Sequence, residues 1–245
     1  MYRILTIMFF LAATAATGTA QTVEELHYNL KYGFIKGGEA DLIVTRTTFN
    51  GNPAIHYYLK GVTTGLADQL FSVYDIYESD VDPESSLPYK SIRNVRERKY
   101  RYYNETFFFQ KQDSIYSKKT GGMKVPHNLV DILTAFFYLR QHDILKKFDA
   151  GQEFSMPVYH SGKYFTMTTV YLGKETIDSK IGKRECHVIA PRVDKGKLLN
   201  RSDGLKFYIT NDADHVPLLL EFDMVVGSLK CELASHKKHN TELLK

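Results

Sequence analysis

Apolar and polar side chains alternate along most of this chain, and one stretch breaks the rule. In residues 25–34, Leu26, Tyr28, Leu30, Tyr32 and Phe34 fall on one side, with His27, Asn29 and Lys31 opposite. That period of two marks a half-buried strand. "KGG" at 36–38 predicts a turn. Ala40, Leu42 and Val44 share a side of the next run, and Asn50-Gly51 predicts a tight hairpin because both residues accept positive φ. Ile55, Tyr57 and Leu59 then face inward, so three strands read as a meander. "FSVYDIYESDV", a turn at 82–88, and a β-prone run over 90–109 with a turn near 97–99 continue the style. The second half repeats it in "QEFSMPVYH", "KYFTMTTVYLG", "KRECHVIAP", "LKFYITND", "VPLLLEFDMVV" and "SLKCELA". Turns fall at His160, Ser161 and Gly162, at Gly182, in "DKGK" and "NDADH", and at Val226-Gly227. About a dozen strands is more than an open sheet carries without curling. The expected fold class is mainly β, a strongly curved antiparallel sheet or partly open β-barrel.

The exception is "KVPHNLVDILTAFFYLRQHD", 124–143. Leu129, Ile132, Leu133, Phe136 and Phe137 recur at helical spacing and predict a central amphipathic helix over about 128–140. Asn128 is the expected N-cap, Asp131 suits the first turn, and Arg140 and His142 suit the C-terminal end of the dipole. A helix with such a face buries it, and here the surface on offer is the hollow of the sheet. The five apolar residues then act as a plug in the core or as a lid over a pocket.

The N-terminus changes the setting. Arg3 precedes an apolar run at 4–16, and Gly18 and Ala20 are small residues before Gln21. This is the pattern of a secretory signal peptide over 1–20, leaving 21–245 as a single β-rich domain. The run is short for a membrane span, and the first cysteine is Cys186, so the expectation is a soluble periplasmic protein rather than an integral membrane protein or a lipoprotein. An uncleaved anchor is the alternative. The 32 Lys and Arg against 28 Asp and Glu give +4, or +3 once Arg3 is removed. That charge dictates no partner, and export argues against nucleic acid. Cys186 and Cys231 either pair or remain two buried thiols.

Catalytic and cofactor signatures are missing: no G-x-S-x-G, P-loop, G-x-G-x-x-G, H-E-x-x-H or C-x-x-C occurs. No catalytic residue, metal ligand or cofactor is therefore assigned. "NDADH" at 211–215 groups Asp212, Asp214 and His215, but Asn and Asp are also what a tight turn selects. Within 90–103, Arg93, Arg96, Arg98, Tyr100 and Tyr102 are candidate contacts for an anionic ligand or an envelope partner. Charge runs are usually solvated, so the same run also reads as a solvated sheet face or guarded edge. Asp75, Glu78, Asp80 and Glu97 are the only carboxylates grouped closely enough for glycoside hydrolysis, and alternation splits Asp75 from Glu78 and Asp80.

Several stretches resemble the DUF3108 family of exported bacterial proteins of uncharacterised function, in members of the Bacteroides type. They are "YGFIKGGEADL" (32–42), "VYDIYESDVDPESSLPYKSIRNVRERKY" (73–100), "VPHNLVDILTAFFYLR" (125–140), "YLGKETIDSKIGKRECHVIAP" (171–191) and "ITNDADHVPLLLEFDMVVGSLKCEL" (209–233). The resemblance implies an exported, largely β protein and supplies no catalytic residues. The leading functional expectation is a non-enzymatic periplasmic protein that binds an apolar or amphiphilic envelope component, with a lipid, a glycan or an envelope protein as partner. A packed structural or assembly factor of the envelope is the alternative, and a glycan hydrolase the second alternative. Oligomeric state is left open.

Overall fold

The computed structural model describes residues 20–141, 145, 147–192, 204–225 and 227–239. The expected signal peptide up to residue 19, His142, the "DKGK" turn, Val226 and the chain after residue 239 lie outside the described residues. Among the described residues the protein is mainly β: fifteen strands in one sheet, with two short helices. The first half supplies β1 (Gln21–Tyr32), β2 (Ile35–Phe49), β3 (Asn52–Thr63), β4 (Val73–Val81), β5 (Pro88–Glu97), β6 (Tyr100–Phe109), β7 (Ser114–Ser117) and β8 (Gly121–Lys124). The second supplies β9 (Val130–Asp131), β10 (Glu153–His160), β11 (Lys163–Ser179), β12 (Gly182–Pro191), β13 (Leu205–Thr210), β14 (Pro217–Asp223) and β15 (Ser228–Lys238). The helices are α1 (Gly65–Leu70) and α2 (Ile132–Gln141).

Strand order runs from β8 down to β1, then from β15 down to β9. Every ladder is antiparallel except the short β9–β10 pair. The first and last strands meet in the middle, Leu30 opposite Cys231, and β8 and β9 are the edges. The sheet is not closed by hydrogen bonds, but it curls until its two flanks touch. Phe108 meets Tyr159 edge-on at 6.4 Å. Arg93 Nη1 donates to Ser161 Oγ at 2.7 Å, and Gln110 Nε2 donates to the Leu129 carbonyl at 3.0 Å. Accumulated twist in so wide a sheet produces this shape.

Turn chemistry places the hairpins. Asn50 and Gly51 both take positive φ, as the β2–β3 connection requires. The first turn departs from expectation. It falls at Gly33-Phe34, where Gly33 takes φ +57, and "KGG" runs on inside β2. Phe34, expected to face inward, is fully exposed at 104%. Gly38 within that strand is pressed against β3, because a Cβ there would lie 2.5 Å from the Val62 carbonyl oxygen.

The α2 helix occupies the hollow. Leu133 and Phe137 join one core cluster with Leu26, Leu42, Tyr57, Val188 and Leu233, residues from both halves of the sheet. Phe137 stacks on Tyr57 with ring centroids 3.6 Å apart. The helix starts at Ile132, not at 128, and its cap is not Asn128. Asn128 is left-handed with φ +56 and Val130 is already a strand. Asp131 caps instead: Oδ1 accepts from the Leu133 and Thr134 amides at 3.0 and 3.1 Å, and Oδ2 accepts from Thr134 Oγ1 at 2.6 Å. Leu129 is therefore off the helix, buried with Phe108, Ile115 and Tyr159 where the flanks meet. Nor does the helix keep a polar face. Thr134 and Arg140 are buried along with Leu133, Ala135, Phe137 and Leu139, as for a helix enclosed on most sides. The α1 helix, unexpected from the sequence, is short and leaves Leu66 and Leu70 exposed.

Candidate functional site

Packing around α2 is incomplete on one side. Between the helix and the sheet lies a cavity of about 430 Å³, nearly three times the roughly 150 Å³ that accommodates benzene in an apolar core. From the helix, Leu133, Phe136 and Leu139 face it. Tyr28, Ala40, Leu42 and Leu59 line it from the first half of the sheet, and Met167, Phe207, Leu220 and Phe222 from the second. Tyr28 adds no free polar group, because its hydroxyl donates to the Pro217 carbonyl at 2.9 Å. Cys231 also borders the chamber, while Cys186 is buried in the main core, and both are free thiols. Burial pushes the Cys231 thiol up to about 12; burial, with the charges of Asp212 and Glu185, pushes Cys186 up to about 11. Neither is poised as a thiolate.

A small polar recess of about 30 Å³ adjoins the chamber, sharing Tyr77, Ile132 and His160 with it. Arg93 on β5 stands opposite Tyr77 on β4, and residues directly opposite in a ladder share a face. Its Nε donates to the Tyr77 hydroxyl at 3.4 Å, and its guanidinium lies 4.6 Å from the centre of the Tyr102 ring. Among the described residues Arg93 has no carboxylate partner. The carboxylates bordering the recess are engaged elsewhere: Asp131 caps α2 and accepts from Ser79, and Glu78 pairs with His56. Tyr159 lines the recess with a buried hydroxyl that has no hydrogen-bond partner. His160 has no hydrogen bond among the described residues. Burial, together with the charge of Arg93, holds its imidazole down at about 4.

The basic run is thus not one patch. Arg93 and Tyr102 point into the recess. Arg96 lies on the opposite face over the Tyr74 ring, its neighbour across the ladder. Arg98 occupies the β5–β6 turn at φ +48, over Phe71. Tyr100 is exposed beside Tyr102. β5 is internal to the sheet, but β7 pairs only with Thr106–Phe109 of β6, so the stretch of β6 that carries Tyr100 and Tyr102 has a ladder partner on the β5 side alone among the described residues. The carboxylates divide into two pairs: Glu97 on β5 sits beside Asp75, where burial and the charge and hydrogen bond of Asp75 raise its pKa. Asp75 accepts from the Arg96 amide, while Glu78 and Asp80 flank His56 on the other face at 3.4 and 2.8 Å. Bonds to Asp80 and Glu78 raise the His56 imidazole to about 9. "NDADH" forms a turn in which Asp212 Oδ1 accepts from Thr210 Oγ1 and the amides of Asp214 and His215. No group of three or more His, Cys, Asp or Glu among the described residues is arranged to hold a metal ion. No helix among them is long and apolar enough to cross a membrane.

Sequence reasoning missed His160, Tyr77 and Tyr159. Their sequence signals are alternation for Tyr77 and Tyr159 and a turn for His160, which ends β10 instead, and neither signal says what these side chains meet.

Comparison with solved structures places the fold among barrel-like proteins. The crystal structure of a β-barrel-like protein of the domain of unknown function DUF1849, from Brucella abortus, covers 90% of this chain and 99% of its own at a TM-score of 0.58 and 10% identity. A DUF1089 family protein from Pseudomonas aeruginosa covers 90% and 91% at 8% identity, with a TM-score of 0.29 that carries no weight. No curated protein matches the chain. The model of the family described as "Protein of unknown function (DUF3108)" matches residues 27–234, and the chain belongs to the DUF3108 family.

Proposed function

We propose that this protein is a non-enzymatic binder of an apolar or amphiphilic molecule, held between α2 and the concave face of the sheet and acting in the periplasm after export. One observation carries the reading: the apolar chamber of about 430 Å³. That volume falls within the range of small-molecule sites, and a lining that is largely hydrophobic with few polar groups is typical of them. A solid core would be close-packed with few voids larger than a water molecule, so the chamber speaks against the packed assembly-factor alternative. Glu78 and Asp80 are engaged by His56 on the opposite face from Asp75 and Glu97, and Asp75 and Glu97 are in direct hydrogen-bond contact, too close for a sugar to sit between them, which speaks against the glycosidase. The ligand class follows from the lining, where apolar walls reward acyl or other hydrocarbon surface at about 0.8 kcal/mol per buried methylene.

The test is direct. Protein recovered from a Gram-negative periplasm is analysed by native mass spectrometry and solvent extraction, and the delipidated protein is titrated with a fluorescent acyl probe. A co-purifying amphiphile and saturable probe binding are expected. Ala40→Phe, which projects a ring into the chamber from β2, is expected to abolish probe uptake while the protein remains folded by circular dichroism. An empty protein that takes up no probe, or a folded Ala40→Phe variant that binds as the parent does, refutes the reading.

A further inference from the structure

The polar recess adjoins an otherwise apolar chamber, and it holds donors that lack acceptors while the carboxylates on its border are already engaged. The Arg93 guanidinium has hydrogen-bonding capacity left after Ser161 and Tyr77. The Tyr77 hydroxyl accepts from Arg93, which leaves its own proton free to donate. Tyr159 brings a buried hydroxyl without a partner, and a buried polar group left unpaired is costly unless something satisfies it. His160 borders both chamber and recess. A neutral imidazole there offers one further N–H.

Resting on the reading of the chamber as a ligand site, we infer that the recess is a head-group site for a carboxylate, and that the ligand is a single-chain fatty acid with its tail in the chamber and its carboxylate on Arg93, Tyr77, His160 and Tyr159. Size selects the head group. A space of about 30 Å³ holds only about two waters by the measure in which one needs 10–15 Å³. A two-oxygen carboxylate is that compact, whereas a sugar or choline head is not. Charge favours an anion, because Arg93 has no ion pair among the described residues, whereas the two carboxylates that border the recess are already engaged, Asp131 as the α2 cap and Glu78 with His56. Geometry supports the choice, since a planar guanidinium presents paired N–H groups that match a carboxylate's two oxygens.

The experiment separates this inference from the chamber reading. Delipidated protein is titrated at neutral pH with palmitate, with hexadecanol (the same tail with a neutral head), and with a lysophosphatidic acid of equal chain length. Palmitate is expected to bind at least tenfold more tightly than either of the others. Arg93→Gln is expected to lose at least tenfold in palmitate affinity with hexadecanol affinity unchanged, and Arg93→Lys to retain part of the preference. His160→Phe gives a second, independent variant and is expected to weaken palmitate alone. Urea midpoints of all variants confirm that folded protein is compared. If palmitate and hexadecanol bind equally to the parent and to Arg93→Gln, the head-group site is overturned while the chamber stands. Tighter binding of the lysophosphatidic acid overturns the carboxylate assignment. If no ligand binds the parent, the chamber reading falls first and this inference with it.

Discussion

Arg140 near the end of α2 ties the helix to the sheet through a buried bidentate ion pair, and removing it gives a sharp test of the architecture. Its guanidinium is buried at 7% exposure. Nη1 and Nη2 each donate to a carboxylate oxygen of Glu24 on β1 at 2.9 Å, and Nε donates to the His215 carbonyl at 2.8 Å. Glu24 also accepts from His236 on β15 at 2.8 Å. The helix is thereby fastened where the first and last strands meet. Two unit charges about 4 Å apart attract by roughly 4 kcal/mol at an effective dielectric constant of about 20, and desolvation offsets much of this in the intact pair. Removing one partner exposes the offset. Arg140→Met keeps most of the apolar stem but strands Glu24, and the expected loss is about 3–5 kcal/mol. That is a large share of the roughly 5–15 kcal/mol typical of a folded protein. The pH dependence has a definite sign. Burial pushes the Glu24 carboxyl up, but the bonds and charges of Arg140 and His236 outweigh it and leave its pKa below the ordinary value. Its contribution is therefore complete above the unfolded value of about 4.3 and is lost as pH falls through the lower folded value. In Arg140→Met only burial and His236 remain, and protonation relieves the stranded charge, so the gap between the two proteins narrows as pH drops from 7 towards 4. Urea unfolding followed by circular dichroism at several pH values reads this as a shift in midpoint at constant slope. Glu24→Gln combined with Arg140→Met is expected to cost less than the sum of the single changes by about 1–3 kcal/mol. A loss below about 1 kcal/mol for Arg140→Met, or strict additivity in the double variant, refutes the tether.

Two further substitutions probe the helix start and the sheet. Asp131→Ala removes a cap and leaves the Ser79 hydroxyl and two amides without their acceptor, so a loss of about 2–4 kcal/mol is expected from capping and unsatisfied donors together. Asp131→Asn keeps an acceptor oxygen and should cost far less, both read from urea midpoints. Gly38→Ala drives a methyl against the Val62 carbonyl and is expected to destabilise by about 1–3 kcal/mol through overpacking. Faster amide exchange in the β2–β3 ladder should accompany it, and a neutral result would mean that the two strands approach less closely than the structure has them.

Strand alternation made much of the fold legible because one face of nearly every strand is buried. Leu26 and Tyr28, Leu42 and Val44, and Tyr57 all stand in the core where period two puts them. The Asn50-Gly51 hairpin was equally plain, since few residue pairs accept its two positive φ values. Local patterns failed where two local solutions compete. "YGF" and "KGG" both offer a turn, and only pairing with β15 on the far side of β1 selects Gly33. The same holds at the helix start, where Asn128 is as good a cap as Asp131 in isolation. The parallel β9–β10 pair draws Val130 into the sheet and moves the start to Ile132. Tertiary pairing overrode propensity in both places.

The candidate site was legible only in part, for a reason contained in one residue. Arg93 stood out as one cation in a run of six over 90–103, and such a run normally means a solvated face. Yet Arg93 is two residues from Val95, which is buried at 1% exposure, so the alternation that buries Val95 turns Arg93 inward as well. The same count turns Arg96 outward. Reading the run as a single basic patch averaged over two faces and hid the one informative cation. A charged residue on the apolar side of a strand says more than several on the polar side, because even the half-burial of Arg93 takes a charge partly out of water and demands an explanation. What the sequence could not show is the explanation itself. The recess exists because the curled sheet brings Ser161, His160 and Tyr159 on one flank against Arg93 and Tyr77 on the other, separated by more than 60 positions along the chain. No local pattern records a junction of that kind; it arises only when the two flanks of the sheet close on the helix between them.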